Sequence, residues 1–248
     1  MIVSENYLDV VTMTSPMRTY VYVPAEAHRA ADRFPGLILY SEIFQQTEPI
    51  RRLATQFAGQ GYVVMVPEIY HDHEAAGTVL GYDTVGKDKG NAYKYDTPLT
   101  TFDNDARSLL AALREHPQCN GRFGAVGFCL GGHLAFRAAL QPEVRATSCF
   151  YATDLHSATL GLGKSDDSLR RAAEIRGELL FIWGRQDPHV PVEGRRRIFD
   201  VLHQAGTRFT WHEFNCEHAF MRDEGNRFDP AAARLGMGLA FDLFHRAL

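Results

Sequence analysis

Short apolar runs alternate along this chain with segments of helical period, and no other feature limits its fold so strongly. The runs are GLILYS (36–41), YVVMVP (62–67), RFGAVG (122–127), VRATSCFY (144–151), ELLFIWG (178–184) and TRFTWHEF (207–214). GLILYS, short and almost wholly apolar, suits a strand buried on both faces, and the others read as strands beside it. Between them, apolar residues recur three and four apart: Ile50, Leu53, Ala54 and Phe57 within 49–60, and Leu109, Leu110 and Leu113 within 103–116. Further helices are expected from residue 129 to about 141, over 192–204, and from 230 onward. This alternation predicts an α/β fold, a mostly parallel central sheet with helices on both faces. LDVVTM (8–13) and TYVYVP (19–24) read as an opening hairpin. The segment 70–98, rich in Gly, Asp, Lys and Tyr, reads as one long irregular insert, a candidate wall for a site.

The 248 residues are 45% hydrophobic, enough to fill one sizeable core, so 1–248 is read as a single domain. A formal net charge of −4 offers no broad positive field for a phosphate backbone, which argues against a nucleic-acid partner. MIVSENYLDVVTM has neither a basic stretch nor an apolar one of signal-peptide type, and no 18 apolar residues run together. The chain therefore reads as soluble and unexported, with no membrane partner. Cys119, Cys129, Cys149 and Cys216 are scattered without CxxC spacing, which suggests neither a zinc site nor a disulfide framework. Free thiols fit a cytoplasmic location.

Cys129 lies where the strand RFGAVG meets the helix LGGHLAFRAAL, inside Gly127-Phe-Cys129-Leu-Gly131. This G-x-nucleophile-x-G spacing is that of a nucleophile elbow, whose sharp turn leaves room only for glycine on either side. The helix that follows contributes a positive dipole end and a free backbone N–H, that of Leu130, able to hold an oxyanion. A free cysteine is more often a small buried apolar residue. A dinucleotide turn is a second alternative, but Gly124, Gly127, Gly131 and Gly132 do not spell GxGxxG.

A thiol nucleophile needs a base, and the base an orienting carboxylate. Asp187 follows the strand ELLFIWG in WGRQDPHVP, and His218 follows TRFTWHEF in FNCEHAFMR. Nucleophile, acid and histidine thus occur in α/β-hydrolase order, each just past a strand, at the sheet edge where open α/β folds place ligands. An Asp beside Pro is ordinarily a turn former, and eleven histidines make one loop His commonplace. The weight rests on all three coming in order.

GFCLGG around Cys129, GRQDPHVP around Asp187, EHAFMR around His218 and YSEIFQ around Glu42 resemble the dienelactone hydrolases, or carboxymethylenebutenolidases, a cysteine-using branch of the α/β-hydrolase fold. The resemblance spans nearly the whole chain. It implies hydrolysis of a small ester or lactone, with or without a carboxylate, through an acyl-enzyme: Cys129 attacks, His218 moves protons, Asp187 fixes its tautomer. It further implies an oxyanion hole from the N–H groups of Leu130 and Ile43, a Glu42 that assists ionisation of the thiol when substrate binds, and no cofactor or metal. Arg222, four positions after His218, matches an arginine that holds a substrate carboxylate. A second arginine expected in the insert has no counterpart, since that segment offers only Lys87, Lys89 and Lys94. Tyr151 matches an aromatic that lines the pocket.

His71-Asp72-His73 offers two histidines at i, i+2 but no third metal ligand, and reads as a polar loop. A non-catalytic binding protein or a redox-sensing thiol on the same scaffold stays open as an alternative, the latter depending on whether Cys149 or Cys216 approaches Cys129. A monomer and a homodimer are both compatible with the sequence.

Overall fold

Leu37 and Leu39 of the strand Phe34–Tyr40 (β3) pack on one side of a sheet, and Ile38 and Tyr40 on the other, all four buried. Strands like this need helices on both faces, and the computed structural model, which describes residues 2–25 and 33–248, supplies them. The other strands are β1 (Val3–Val10), β2 (Met17–Pro24), β4 (Val63–Pro67), β5 (Cys119–Phe128), β6 (Val144–Phe150), β7 (Glu178–Gly184) and β8 (Phe209–Phe214). They form one sheet in the order β1-β2-β4-β3-β5-β6-β7-β8, with β2 antiparallel to both β1 and β4 and the six strands from β4 across to β8 parallel to one another.

Helices α1 (Glu48–Gly59) and α6 (Pro230–Ala247) bury Phe57, Met237 and Phe244 against one face. On the other lie α3 (Leu99–Glu115), α4 (Leu130–Ala138) and α5 (Val192–Gln204), with Leu109, Leu134 and Ile198. Each fully buried side chain of this size contributes roughly 1.5–3 kcal/mol. The α/β reading from the alternation therefore holds.

Several boundaries move. The first strand is the polar VSENYLDV rather than 8–13, because Val11 and Met13 lie in the hairpin turn, 83% and 78% exposed. Helix α3 begins at Leu99 behind Pro98, four residues earlier than expected, and α4 stops at Ala138 rather than 141. The largest correction falls in 70–98. This insert is not irregular throughout, because Thr84–Asp96 forms a helix (α2) whose N-cap, Asp83, accepts the Gly86 N–H at 2.8 Å. Two glycines and a weak apolar stripe hid it. A Cβ at Gly90 would come within 2.4 Å of the Ile43 carbonyl oxygen, so glycine there lets α2 dock against the turn after β3.

The chain runs from β3 through α1 to β4 on one side, then returns through α3 to β5 on the other. The crevice between the C-terminal ends of β3 and β5 is thus the topological switch point, where open parallel sheets bind ligands.

Candidate active site

Five parallel strands deliver their following residues to this edge: Glu42 and Ile43 after β3, Cys129 after β5, Thr153 and Asp154 after β6, Asp187 after β7, His218 after β8. Cys129 has φ 59° and ψ −120°, a conformation rare for any residue with a side chain and typical of strain held at a functional position. Its surroundings enforce it: a Cβ on Gly131 would lie 2.2 Å from the Tyr40 carbonyl oxygen, and one on Gly127 would lie 1.9 Å from that of Gly131. The Cys129 N–H donates to Phe150 O at 3.1 Å, and Thr153 N–H to Cys129 O at 3.2 Å, pinning the turn to the end of β6. Leu130 opens α4, so its N–H has no partner within the helix.

His218 Nδ1 donates to Asp187 Oδ2 at 2.7 Å, and the other carboxylate oxygen accepts the His189 N–H, also at 2.7 Å. Both side chains are buried. Burial raises the Asp187 pKa, but the His218 hydrogen bond and charge outweigh it and hold the carboxyl below its usual value. Burial likewise pulls His218 down, and the charges of Cys129 and Asp187 with their hydrogen bonds reverse this, raising it to about 10. The imidazole thus lies between Cys129 and the Asp187 carboxylate, and the bond from Nδ1 to Asp187 leaves Nε2 for proton transfer.

Cys129, His218, Glu42, Ile43 and Arg222 line one cavity of about 770 Å³, ample for a small ester. Glu42 is 3% exposed, and burial pushes its pKa up despite the neighbouring charges of Arg222 and His218. Arg222 Nη1 lies 3.6 Å from Glu42 Oε2, and the guanidinium stacks 4.3 Å from the Tyr82 ring centroid. Residues 218–221 form a turn with Ala219 at φ 61°, not a helix, yet the turn carries His218 and Arg222 to the same cavity.

Tyr151 stands differently from the expectation. It is 1% exposed and packs its ring edge-on to His218, 4.9 Å between centroids, so it supports the imidazole from behind and does not line the cavity. Lys87 and Lys94 from α2 reach the cavity, whereas Lys89 pairs with Glu74 at 2.7 Å. Sequence reading missed Tyr82, Thr153, Asp154 and Arg227, all on the cavity wall. For Thr153 and Asp154 the signal was available, since they follow VRATSCFY at the same sheet edge as the other site residues.

His71 is held between Ser15 Oγ at 2.8 Å and Asp105 Oδ2 at 3.0 Å, and His73 bonds Thr97 Oγ1 at 3.0 Å. Among the described residues no three His, Cys, Asp or Glu side chains converge to hold a metal ion, and no helix is long and apolar enough to cross a membrane. The other cysteines are buried, and burial pushes the thiols of Cys149 and Cys216 up, that of Cys216 to about 12. Neither is a ready thiolate for exchange with Cys129.

The model of the dienelactone hydrolase family matches residues 17–248. The chain belongs to the dienelactone hydrolase family. As a dienelactone hydrolase family member it is a hydrolase of esters or lactones on the α/β-hydrolase fold. It is 43% identical over 256 residues to a Saccharomyces cerevisiae protein assigned as a carboxymethylenebutenolidase, covering 100% of this chain and 93% of that one. With the carboxymethylenebutenolidase of Pseudomonas putida it shares 28% identity over 207 residues, 81% of each chain. The crystal structure of a Klebsiella pneumoniae protein assigned as a dienelactone hydrolase superimposes with a TM-score of 0.86, covering 99% of this chain and 100% of that one at 20% identity, which carries the fold alone.

Proposed function

We propose that this chain hydrolyses a small ester or lactone through a covalent acyl-enzyme on Cys129, with His218 and Asp187 completing the triad. The supporting observation is the 2.7 Å His218–Asp187 hydrogen bond in the cavity that also exposes the elbow cysteine. The Cys129 sulfur attacks the carbonyl carbon, and the proton it gives up resides on His218 Nε2. The oxygen that becomes negative is held by the N–H groups of Leu130 and Ile43. His218 then protonates the departing alkoxide, which in a lactone stays tethered to the acyl group. A water enters, His218 takes its proton, and hydroxide attack releases the carboxylic acid and restores the thiol.

Glu42 and Arg222 form a charge pair beside this centre. An incoming substrate carboxylate competes for Arg222, and Glu42, released from its partner, assists ionisation of the thiol, whose proton passes to His218. Tyr151 holds the imidazole plane. The enzyme acts in a reducing compartment such as the cytoplasm, since it depends on a free thiol.

The test is turnover of p-nitrophenyl esters and small lactones, with and without a carboxylate, by wild type and by Cys129→Ala. Loss of all turnover with an unchanged circular dichroism spectrum supports the reading; near-full retention overturns it.

A further inference from the structure

Helix α2 presents Gly86, Gly90 and Lys94, spaced four apart, as its buried residues. The first two positions are small so that the helix can sit close, and the third is a lysine only 6% exposed. A lysine is rarely buried without a partner, and here Lys94 Nζ donates to Asp154 Oδ2 at 2.8 Å. Burial opposes the charge on both groups, yet each is kept ionised by the other: the lysine pKa is raised and the aspartate pKa lowered. Asp154 stands at φ 62°, directly after Thr153, whose Oγ1 is 4.0 Å from Cys129 Sγ. Both members of the pair line the cavity.

An ammonium has three N–H donors, and Asp154 takes one. The ammonium also faces the Tyr95 ring, 4.5 Å from its centroid, and among the described residues no other oxygen accepts from its remaining N–H groups. Asp154 also accepts from Tyr95 Oη and Thr159 Oγ1 at 3.4 and 3.3 Å, long contacts that a better donor could replace. This side of the cavity therefore offers a donor and an acceptor next to each other at zero net charge. A carboxylate there would gain Lys94 and meet Asp154. A hydroxyl can accept from the ammonium and donate to the carboxylate at once.

We propose that the Lys94–Asp154 pair is a specificity element that selects esters or lactones bearing a hydroxyl within reach of the scissile carbonyl. This rests on Cys129 being the nucleophile, and it names the substrate class for that site: a hydroxylated lactone or hydroxy-ester.

The experiment uses three lactones matched at one ring position: γ-butyrolactone, its β-hydroxy derivative and its β-carboxy derivative, with kcat/KM measured for each. Wild type should prefer the hydroxylated lactone to the unsubstituted one. Lys94→Met should cut that ratio by roughly ten- to a hundredfold, the scale of one hydrogen bond to a charged group, chiefly through KM. Asp154→Asn, nearly isosteric, leaves the lysine charge unbalanced and should raise the ratio of carboxylated to unsubstituted lactone. A merely structural pair would lower all three rates together and shift neither ratio. Thermal melting of each variant identifies a misfolded one, and if Lys94→Met fails to fold, the Asp154→Asn ratio decides. Absence of a hydroxyl preference in wild type, or unchanged ratios in the variants, overturns the proposal. Cys129→Ala keeps the two readings apart: it should abolish turnover of all three lactones, and if it does not, the catalytic reading fails whatever the ratios.

Discussion

Arg222 and Glu42 hold each other across the cavity, 3.6 Å from guanidinium to carboxylate, with the Glu42 side chain only 4% exposed. An arginine so placed cannot be removed without leaving a buried carboxylate alone. On the proposed reading Arg222→Ala should therefore act twice: it would delete the partner of a substrate carboxylate, and it pushes Glu42 further toward its neutral form. The first effect should cost roughly 1.5–3 kcal/mol on carboxylated lactones, about ten- to a hundredfold in kcat/KM. Neutral esters should lose less, through Glu42 alone. Equal losses on both substrate types would show that the arginine serves only to hold the glutamate.

Cys129→Ser should lose most of its turnover although the side chain is nearly isosteric. The site presents an imidazole drawn up to about 10 beside Cys129 and Asp187, and an imidazole that already holds its proton is poorly suited to drawing another from an alcohol. Single-turnover acylation by p-nitrophenyl acetate measures this, and a serine variant acylated as fast as wild type would contradict it.

His218→Ala and Asp187→Asn should each cost orders of magnitude, the second because an amide favours the wrong imidazole tautomer. The double variant should be little worse than the poorer single one, as for residues that act as a unit. Multiplicative losses in kcat would argue that the 2.7 Å contact between them has no part in turnover.

Stability should follow pH with a definite sign. His218 has a higher pKa folded, about 10, than the ordinary histidine value. Its contribution is fully present below the unfolded value of about 6.5 and fades as pH climbs through the folded one. Urea unfolding of wild type and His218→Gln should thus differ more at about pH 6 than at about pH 10, and a gap that widens toward alkali would refute the assignment.

Gly131→Ala should be among the most damaging single-atom additions in the chain. The new methyl would lie 2.2 and 2.4 Å from the carbonyl oxygens of Tyr40 and Ser41, backbone atoms with nowhere to go. A loss of about 3 kcal/mol, the upper end of ordinary overpacking, is expected in denaturant melts. A change within about 0.5 kcal/mol, the range of inert surface substitutions, would mean that the elbow is looser than its geometry.

The strands were legible because burial on both faces leaves a sequence no polar positions: GLILYS and ELLFIWG admit few other readings. That Cys129, Asp187 and His218 share one sheet edge was legible because each lies in the turn or loop just after a strand. Helix α2 was not, since its glycines answer to tertiary contacts; Gly86 and Gly90, helix-weakening by themselves, are demanded by the loop at Gly81 and by the distant Ile43. Tyr151 was placed in the right neighbourhood but on the wrong side of His218, because sequence gives a residue's position along a strand end and not the direction in which a backbone at φ 37° turns its ring.

Helix α2 and the loop before it supply Tyr82, Lys87, Lys94 and Tyr95 to the cavity, while none of Cys129, Asp187 or His218 comes from that stretch. Apart from Arg222 and Asp154, much of the cavity wall is thus written in a passage of the chain separate from the three residues of the proposed triad. That one contiguous segment can be rewritten, by exchange or by drift, to reshape the wall while Cys129, Asp187 and His218 are left untouched.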